Sequence, residues 1–221
     1  MLISVKSVAA TTYDRIRHDI IFGKLRPGTK LKLNPLRVNY GVSVTTLREI
    51  LNRLVSDGFV RAEEQRGFFV SSVSKDDLIE ISQLRILLEC SALEASLKNG
   101  TEDWEASLVA AHHKLSLSEK KMLNEDDEGK ENRKQNDREF HLATIKACNS
   151  QNLLSSHSTV YFKYLRYQML ILTNRGQIAA DEHKAILDAC LKRDTQMAKQ
   201  ELEKHILLGL EHCLDAFKVE L

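Results

Sequence analysis

Apolar residues recur at helical spacing along most of this chain, and this pattern constrains the fold more than any other feature of the sequence. Strand-like runs occur only within residues 59–70. The 221 residues include two prolines and nine glycines, too little turn-forming material for a β-sandwich. The length allows one or two domains with a sizeable core. We therefore predict a mainly α-helical protein.

Two helices joined at a glycine are predicted near the amino terminus. The first of them starts with Asn34 as its expected N-cap and ends at Gly41. The second is capped by Ser43 or Thr45 and continues to an Asp-Gly pair. Another helix over residues 11–23 precedes them. Two helices joined in this way have the form of a helix-turn-helix.

Two short β-rich runs follow these helices and flank the polar segment EEQRG. They predict a β-hairpin wing whose turn contains Gly67. We therefore assign a winged helix-turn-helix domain to residues 1–74. This part carries 12 Lys and Arg against 6 Asp and Glu, whereas the remaining residues carry 20 against 25. A basic module on an acidic body is typical of a nucleic-acid-binding protein.

Strand signals end after the wing, and residues 75–221 are predicted to form an all-helical domain. About six helical runs suit an antiparallel six-helix bundle, with the polar stretch at 124–132 as a loop. The four cysteines form no CxxC pair, so we expect reduced packing residues. No run approaches eighteen apolar residues, and the start lacks a signal-peptide core. We expect a cytoplasmic protein with no membrane partner.

The beginning of the second helix of the pair is the part that would enter the major groove of double-stranded DNA. Arg48 can donate two hydrogen bonds to a guanine, whereas the neighbouring hydroxyl residues suit phosphate oxygens or a thymine methyl. A surface salt bridge from Arg48 to Glu49 or Asp57 is the alternative. The predicted DNA-contacting residues are Ser43, Val44, Thr45, Thr46, Arg48, Arg53, Arg66 and Gly67.

Four side chains of metal-ligand type fall on apolar faces of the predicted bundle helices. Asp137 and His141 are four residues apart and so share one face, while His183 and His205 align with aliphatic residues of two later helices. Buried without partners, these groups would cost desolvation energy. They should therefore meet one another, a water network or a metal ion. The spacing leaves a metal site and satisfied core histidines equally open.

Motifs in both parts of the chain resemble one known family. GVSVTTLREILNRLVSDGFV followed by RGFFV resembles the DNA-binding domain of the GntR family of bacterial transcription regulators. DREFH, DEHKAILDACLKRD and the later KH resemble the FCD branch of that family, named for its all-helical effector domain. The resemblance implies a divalent metal, zinc ahead of nickel or manganese. Its ligands would be Asp137, His141, His183 and His205.

The resemblance also implies a regulator controlled by a small carboxylate bound beside the metal, most often a repressor. Similar-looking relatives repress dicarboxylate catabolism, which indicates a diacid of four to six carbons. The expected effector-binding residues are Arg85, Arg166 and Tyr167, with Tyr161 as an alternative donor. The two arginines could instead pair with bundle carboxylates. Val44 departs from the family, where arginine is common, so a base contact is lost there or replaced by an apolar one.

We expect a homodimer on a palindromic operator, because one recognition helix reads too few base pairs for genomic selectivity. Two other functions stay open at this point. A His/Asp site could activate water in a metal-dependent hydrolase. A constitutive architectural DNA binder would need no effector. The other histidines are interpreted as surface or packing residues, namely His18, His112, His113, His157 and His212.

Overall fold

The computed structural model describes residues 8–121, 127–171 and 175–217. The chain forms two compact units. The first contains the chain up to Asp77 together with a segment that begins at Phe162, and the second contains the rest. The boundary at residues 74 and 75 stays a prediction. In the described ranges, every helix is too short or too polar to span a bilayer.

The first unit contains the predicted winged helix-turn-helix. Its strands are antiparallel, with Val60 opposite Val70. The core combines aliphatic and aromatic side chains, among them Ile16, Leu47 and Phe59, all excluded from solvent. The elements are α1 (Val8–Ile21), α2 (Leu33–Tyr40), α3 (Val44–Ser56), β1 (Val60–Glu63) and β2 (Gly67–Val70).

The turn between α2 and α3 has the geometry that the sequence predicts. Gly41 ends α2 in the left-handed conformation, with φ 68°. Ser43 is the N-cap of α3, and its hydroxyl accepts a hydrogen bond of 3.1 Å from the backbone N–H of Thr46. This bond satisfies one of the amide groups that a helix start leaves without an intrahelical partner.

The predicted N-cap of α2 is wrong. The helix begins at Leu33, so Lys32 is the N-cap and Asn34 lies in the first turn. Lys32 makes no side-chain cap bond, and its carbonyl accepts from the backbone N–H of Leu36 at 3.2 Å. Pro35 fits within this turn, because the first amide groups of a helix have no intrahelical acceptor and a missing N–H costs nothing there.

The second unit is formed mainly by six helices, which confirms the predicted mainly helical fold class for the described residues. Helix α4 starts, and helix α7 ends, in residues that belong to the first unit. The six are α4 (Lys75–Asn99), α5 (Glu102–Glu119), α6 (Asp127–Ile145), α7 (Gln151–Ile171), α8 (Gln177–Leu191) and α9 (Thr195–Phe217).

The loop predicted at 124–132 is wrong over residues 127–132, which are helical. Residues 124–126 lie outside the described ranges. Polar composition misled the prediction, because Glu and Lys are good helix formers and the stretch contains no proline.

Large apolar side chains fill the interior of the second unit. Phe140, Leu93 and Ile186 are fully buried. Trp104 is also buried, and its indole N–H donates a hydrogen bond of 2.8 Å to the carbonyl of Ala143. The four cysteines are free, as expected, and three of them are buried.

Replacing Gly41 by alanine tests whether the left-handed turn limits stability. A Cβ at this position meets nothing within 4 Å, so the cost is the backbone conformation alone. We expect Gly41→Ala to lower the free energy of unfolding by about 1–2 kcal/mol in urea titrations followed by circular dichroism. Gly41→Asn should lose less, because asparagine tolerates this conformation better. An alanine variant as stable as the native chain would contradict this explanation.

Candidate functional site

The amino-terminal end of α3 presents a polar surface to solvent. Ser43, Thr45 and Arg48 are exposed, whereas Val44 and Thr46 are partly covered. Within the described part of the chain, Arg48 makes no hydrogen bond or ion pair. The alternative salt bridge to Glu49 or Asp57 is therefore not formed, and the Asp57 carboxylate accepts a hydrogen bond from the hydroxyl of Tyr13 instead.

Two further predicted DNA contacts have intramolecular partners. The guanidinium carbon of Arg53 lies 4.5 Å from the ring centre of Tyr13. Nη1 of Arg66 lies 2.7 Å from Oε2 of Glu63, and the Arg66 side chain remains largely exposed. Gly67 opens β2 with φ 91°, next to the wing turn. Contacts with Tyr13 and Glu63 therefore position these two arginine side chains on the protein surface.

The three predicted histidine ligands form a buried cluster in the second unit. One ring nitrogen from each of His141, His183 and His205 lies within 4.8 Å of the other two. The histidines come from α6, α8 and α9, so helix packing brings them together. We call this group the histidine cluster. Its ring centres are 4.6 Å apart for His183 and His205 and 5.1 Å apart for His141 and His205.

Asp137 contacts the histidine cluster. Its Oδ1 lies 3.3 Å from Nε2 of His183, and its Oδ2 accepts a hydrogen bond from the hydroxyl of Tyr161. Burial alone would raise the pKa of Asp137, but the hydrogen bond to His183 and the charge at His141 hold it well below its usual range. An ionised carboxylate therefore stands beside His183, one of the three imidazoles of the cluster.

Each imidazole of the cluster has a carboxylate at its Nδ1 atom. The distances are 3.0 Å from His141 to Glu89 Oε2, 2.8 Å from His183 to Glu119 Oε1, and 2.8 Å from His205 to Glu182 Oε2. An ionised carboxylate can only accept a hydrogen bond, so we assign the proton of each neutral ring to Nδ1. At His141 and His205 an arginine N–H also faces this nitrogen, but the carboxylate oxygen lies closer. Nε2 then carries the lone pair that a metal would take. The three acids, Glu89, Glu119 and Glu182, are called the supporting carboxylates below.

The surroundings lower the pKa of two histidines of the cluster and raise that of the third. Burial lowers the pKa of His205 well below its usual value, and the neighbouring His183 and His141 lower it further. Burial, followed by the charge of Arg85, lowers the pKa of His141. Burial opposes the charged form of His183 as well, but hydrogen bonds to Asp137 and Glu119 raise its pKa. Nε2 of His141 is buried and has no hydrogen-bond partner within the described ranges.

Arg85 and Glu89 form a buried ion pair one helical turn apart. Nε of Arg85 lies 2.5 Å from Oε1 of Glu89, and the two side chains are 2% and 0% exposed. The same carboxylate contacts His141 and also His157, whose Nε2 lies 3.0 Å away. Burial would raise the pKa of Glu89, yet the charges of Arg85 and His141 keep it well below its usual range. His157, interpreted from sequence as a surface or packing residue, therefore belongs to this network.

Of the predicted effector-binding residues, the structure brings Arg85 to the cluster, with Nη2 3.1 Å from Nδ1 of His141. Arg166 donates to the carbonyl of Ser71, and the hydroxyl of Tyr167 lies 2.5 Å from Asp77. Arg166 and Tyr167 belong to the first unit.

The sequence analysis missed Arg175 and the three supporting carboxylates. Nη1 of Arg175 lies 2.8 Å from Glu182 Oε2, and its Nη2 lies 3.2 Å from Nδ1 of His205. Only two of the missed acids had a local signal, since Glu89 is four residues after Arg85 and Glu182 precedes His183. Glu119 had none.

Comparison with known families accounts for both units. The FCD domain family matches residues 80–208, and the gntR family of bacterial regulatory proteins matches residues 8–70. The HTH-type transcriptional regulator BphR of Paraburkholderia xenovorans is 36% identical over 205 residues, which cover 92% of this chain and 84% of BphR. The HTH-type transcriptional repressor GlaR of Escherichia coli is 30% identical over 207 residues, covering 88% and 90%.

Solved structures share the fold. E. coli McbR/YncC has a TM-score of 0.81 and 22% identity, with 96% of this chain and 100% of that chain covered. A structure described as the metal-free FCD domain of TM0439 has a TM-score of 0.54 and 18% identity, covering 67% and 99%. The matching families and relatives are transcription regulators and not enzymes. The chain thus belongs to the GntR family of DNA-binding transcription regulators, in the group that carries an FCD domain.

Proposed function

We propose that this regulator is a repressor, and that it leaves its operator when a short dicarboxylate of four to six carbons binds beside a divalent metal ion. The ion would be zinc, with nickel and manganese as alternatives, held by Asp137, His141, His183 and His205. One observation carries this proposal, namely three buried imidazoles whose ring nitrogens lie within 4.8 Å of one another.

The donor set fits a divalent ion. One ionised carboxylate and three imidazoles match the ligands that zinc, nickel and manganese accept in proteins. The buried Nε2 of His141, without a hydrogen-bond partner in the described ranges, would otherwise carry an uncompensated desolvation cost. A bound cation supplies a Lewis-acidic position that one carboxylate oxygen of an effector can take.

Two arginines beside the cluster favour an effector with a second acidic group. Arg85 lies close to His141, and Arg175 lies close to His205. A guanidinium group binds a carboxylate through paired hydrogen bonds. Both arginines also form ion pairs with supporting carboxylates. Arg85 thus pairs with a bundle acid, as the alternative expected, and such a pair still allows it to bind an effector carboxylate. We therefore propose Arg85, and add Arg175, as the groups that orient the second carboxylate.

The repressor role draws on GlaR, which is named a repressor. The exposed surface of α3 would contact the bases of double-stranded DNA. A bacterial protein that binds an operator acts in the cytoplasm. Effector and operator would then compete, because an effector that shifts the protein away from the DNA-binding state must bind the released state more tightly. A constitutive DNA binder would leave the buried histidine cluster unexplained.

We propose a homodimer on an inverted-repeat operator, and an exposed apolar face of α4 supports it. Leu84 and Leu87, one helical turn apart, are 44% and 68% exposed. Exposed apolar patches commonly mark interaction sites. Sedimentation velocity of the free protein should show a dimer, and Leu87→Glu should shift it towards monomer. Val109→Glu on α5, also at an exposed position, is the matched control and should leave the dimer intact. A monomeric native chain would contradict this proposal.

Arg48 should read sequence, whereas Arg66 should contribute mainly charge. We expect Arg48→Ala to weaken operator binding by about 1–3 kcal/mol, because a bidentate contact to guanine is lost. Arg48→Lys keeps the charge but not the paired hydrogen bonds, so it should lose most of the same specificity. Arg66→Ala should weaken operator and random DNA alike.

Fluorescence anisotropy at one salt concentration measures the affinity of each variant for the operator duplex and for a random duplex. Equal losses on the two duplexes for Arg48→Ala would make Arg48 a phosphate contact and not a base-reading residue.

A short dicarboxylate should release the protein from its operator. Titrating acids of two to six carbons against the operator complex should give a roughly 5- to 150-fold loss of DNA affinity with the matching diacid. His205→Ala should abolish this response, because a metal ligand is removed. His113→Ala, at an exposed histidine of α5, should respond as the native chain does. An acid that binds tightly yet leaves operator affinity unchanged would refute effector control.

A further inference from the structure

Two of the supporting carboxylates, Glu119 and Glu182, each contact the Nδ1 atom of a histidine on another helix. Glu119 lies 2.8 Å from Nδ1 of His183, and Glu182 lies 2.8 Å from Nδ1 of His205. Each acid comes from a different helix than the histidine it contacts. Both carboxylates are more than nine-tenths buried, so water competes little for these hydrogen bonds.

We infer that Glu119 and Glu182 are positioning residues, which hold the rings of His183 and His205 with Nε2 directed at the metal. The inference deepens the proposed function and rests on its metal site. The two acids make no bond to the ion themselves.

The physical reason lies in the two nitrogens of imidazole. A neutral ring can bind a metal through Nε2 only when the proton is on Nδ1. A carboxylate that accepts this proton's hydrogen bond selects that tautomer, limits rotation of the ring and makes Nε2 a stronger donor. Two adjacent residues of α8 have different roles in the proposed site. His183 is a metal ligand, and Glu182 holds the ring of His205, a ligand on α9. Packing of α8 against α9 thus sets the ligand geometry.

Glu119 is the sharpest position for a test. Glu89 also pairs with the buried Arg85, and Glu182 pairs with Arg175, so removing either acid disturbs an ion pair. At Glu119 the hydrogen bond to His183 is the contact that a substitution removes. Glutamine at this position can still accept from Nδ1 through its amide oxygen but lacks the charge. Alanine removes both the charge and the hydrogen bond.

The experiment measures Co²⁺ affinity of the full-length protein, by absorption spectra and by competition with Zn²⁺. We expect Glu119→Ala to bind Co²⁺ about 10- to 100-fold more weakly than the native chain. Glu119→Gln should recover part of that loss. Glu94→Ala is the control, since Glu94 contacts Lys199 on the surface, and its affinity should be unchanged. Circular dichroism of the metal-free variants should match the native spectrum.

A double-mutant cycle separates positioning from general stabilisation. In a His183→Ala background, Glu119→Ala should cause no further loss of Co²⁺ affinity, because its only route to the ion is gone. Glu182→Ala should still weaken binding there, since His205 remains. A Glu119→Ala variant with native affinity, or an equal loss in both backgrounds, would overturn the inference.

The native chain reports on the proposed function separately. If it binds neither Co²⁺ nor Zn²⁺, the metal site fails and the inference falls with it. If it binds both and only the variant pattern fails, the metal site stands and Glu119 and Glu182 are ordinary packing partners. Failure of the acids to release the operator would not change the metal affinities and so leaves this inference untouched.

Discussion

The need to pair ionisable groups away from water constrains the second unit more than any other interaction. Glu89 is fully buried and contacts Arg85, His141 and His157, which come from three helices. Removing one partner of such a pair leaves a buried charge without compensation, a loss of about 3–5 kcal/mol. The positions of α4, α6 and the first part of α7 are therefore fixed by electrostatics as well as by apolar packing. The same network includes His141, one member of the histidine cluster.

The two units use cationic side chains in opposite ways. Arg48 stands in solvent at the start of α3, where its donors remain available to a base. Arg85 lies inside the helical unit, where its guanidinium pairs with Glu89 and packs over the ring of Tyr161. An exposed cation favours long-range attraction to phosphates, whereas a buried one favours recognition of one carboxylate geometry. In the proposed function, the same residue type thus reads DNA in one unit and selects the effector in the other.

Much of the fold could be predicted because local patterns carry it. The periodicity of α3, the glycine at its entrance and the Ser43 cap are all short-range features, and the structure has each of them. Errors occurred at Lys32, which caps α2 without a side-chain bond, and over residues 127–132, where polar composition was interpreted as a loop. The contact made by His157 was missed for another reason. Its partner Glu89 is 68 residues away, and no pattern around either residue announces the pair.

The sequence by itself determined the helices, the turn at Gly41 and the shared face of Asp137 and His141, because each depends on residues within a few positions. Tertiary structure decided which acid meets which imidazole. His183 and Glu119 are 64 residues apart, and His205 and Glu182 are 23 apart. Such contacts arise only when whole helices pack, since the angle and offset between two helices depend on every side chain along their interface. The sequence therefore indicated the proposed metal-ligand residues, but not the carboxylates that surround them in the folded chain.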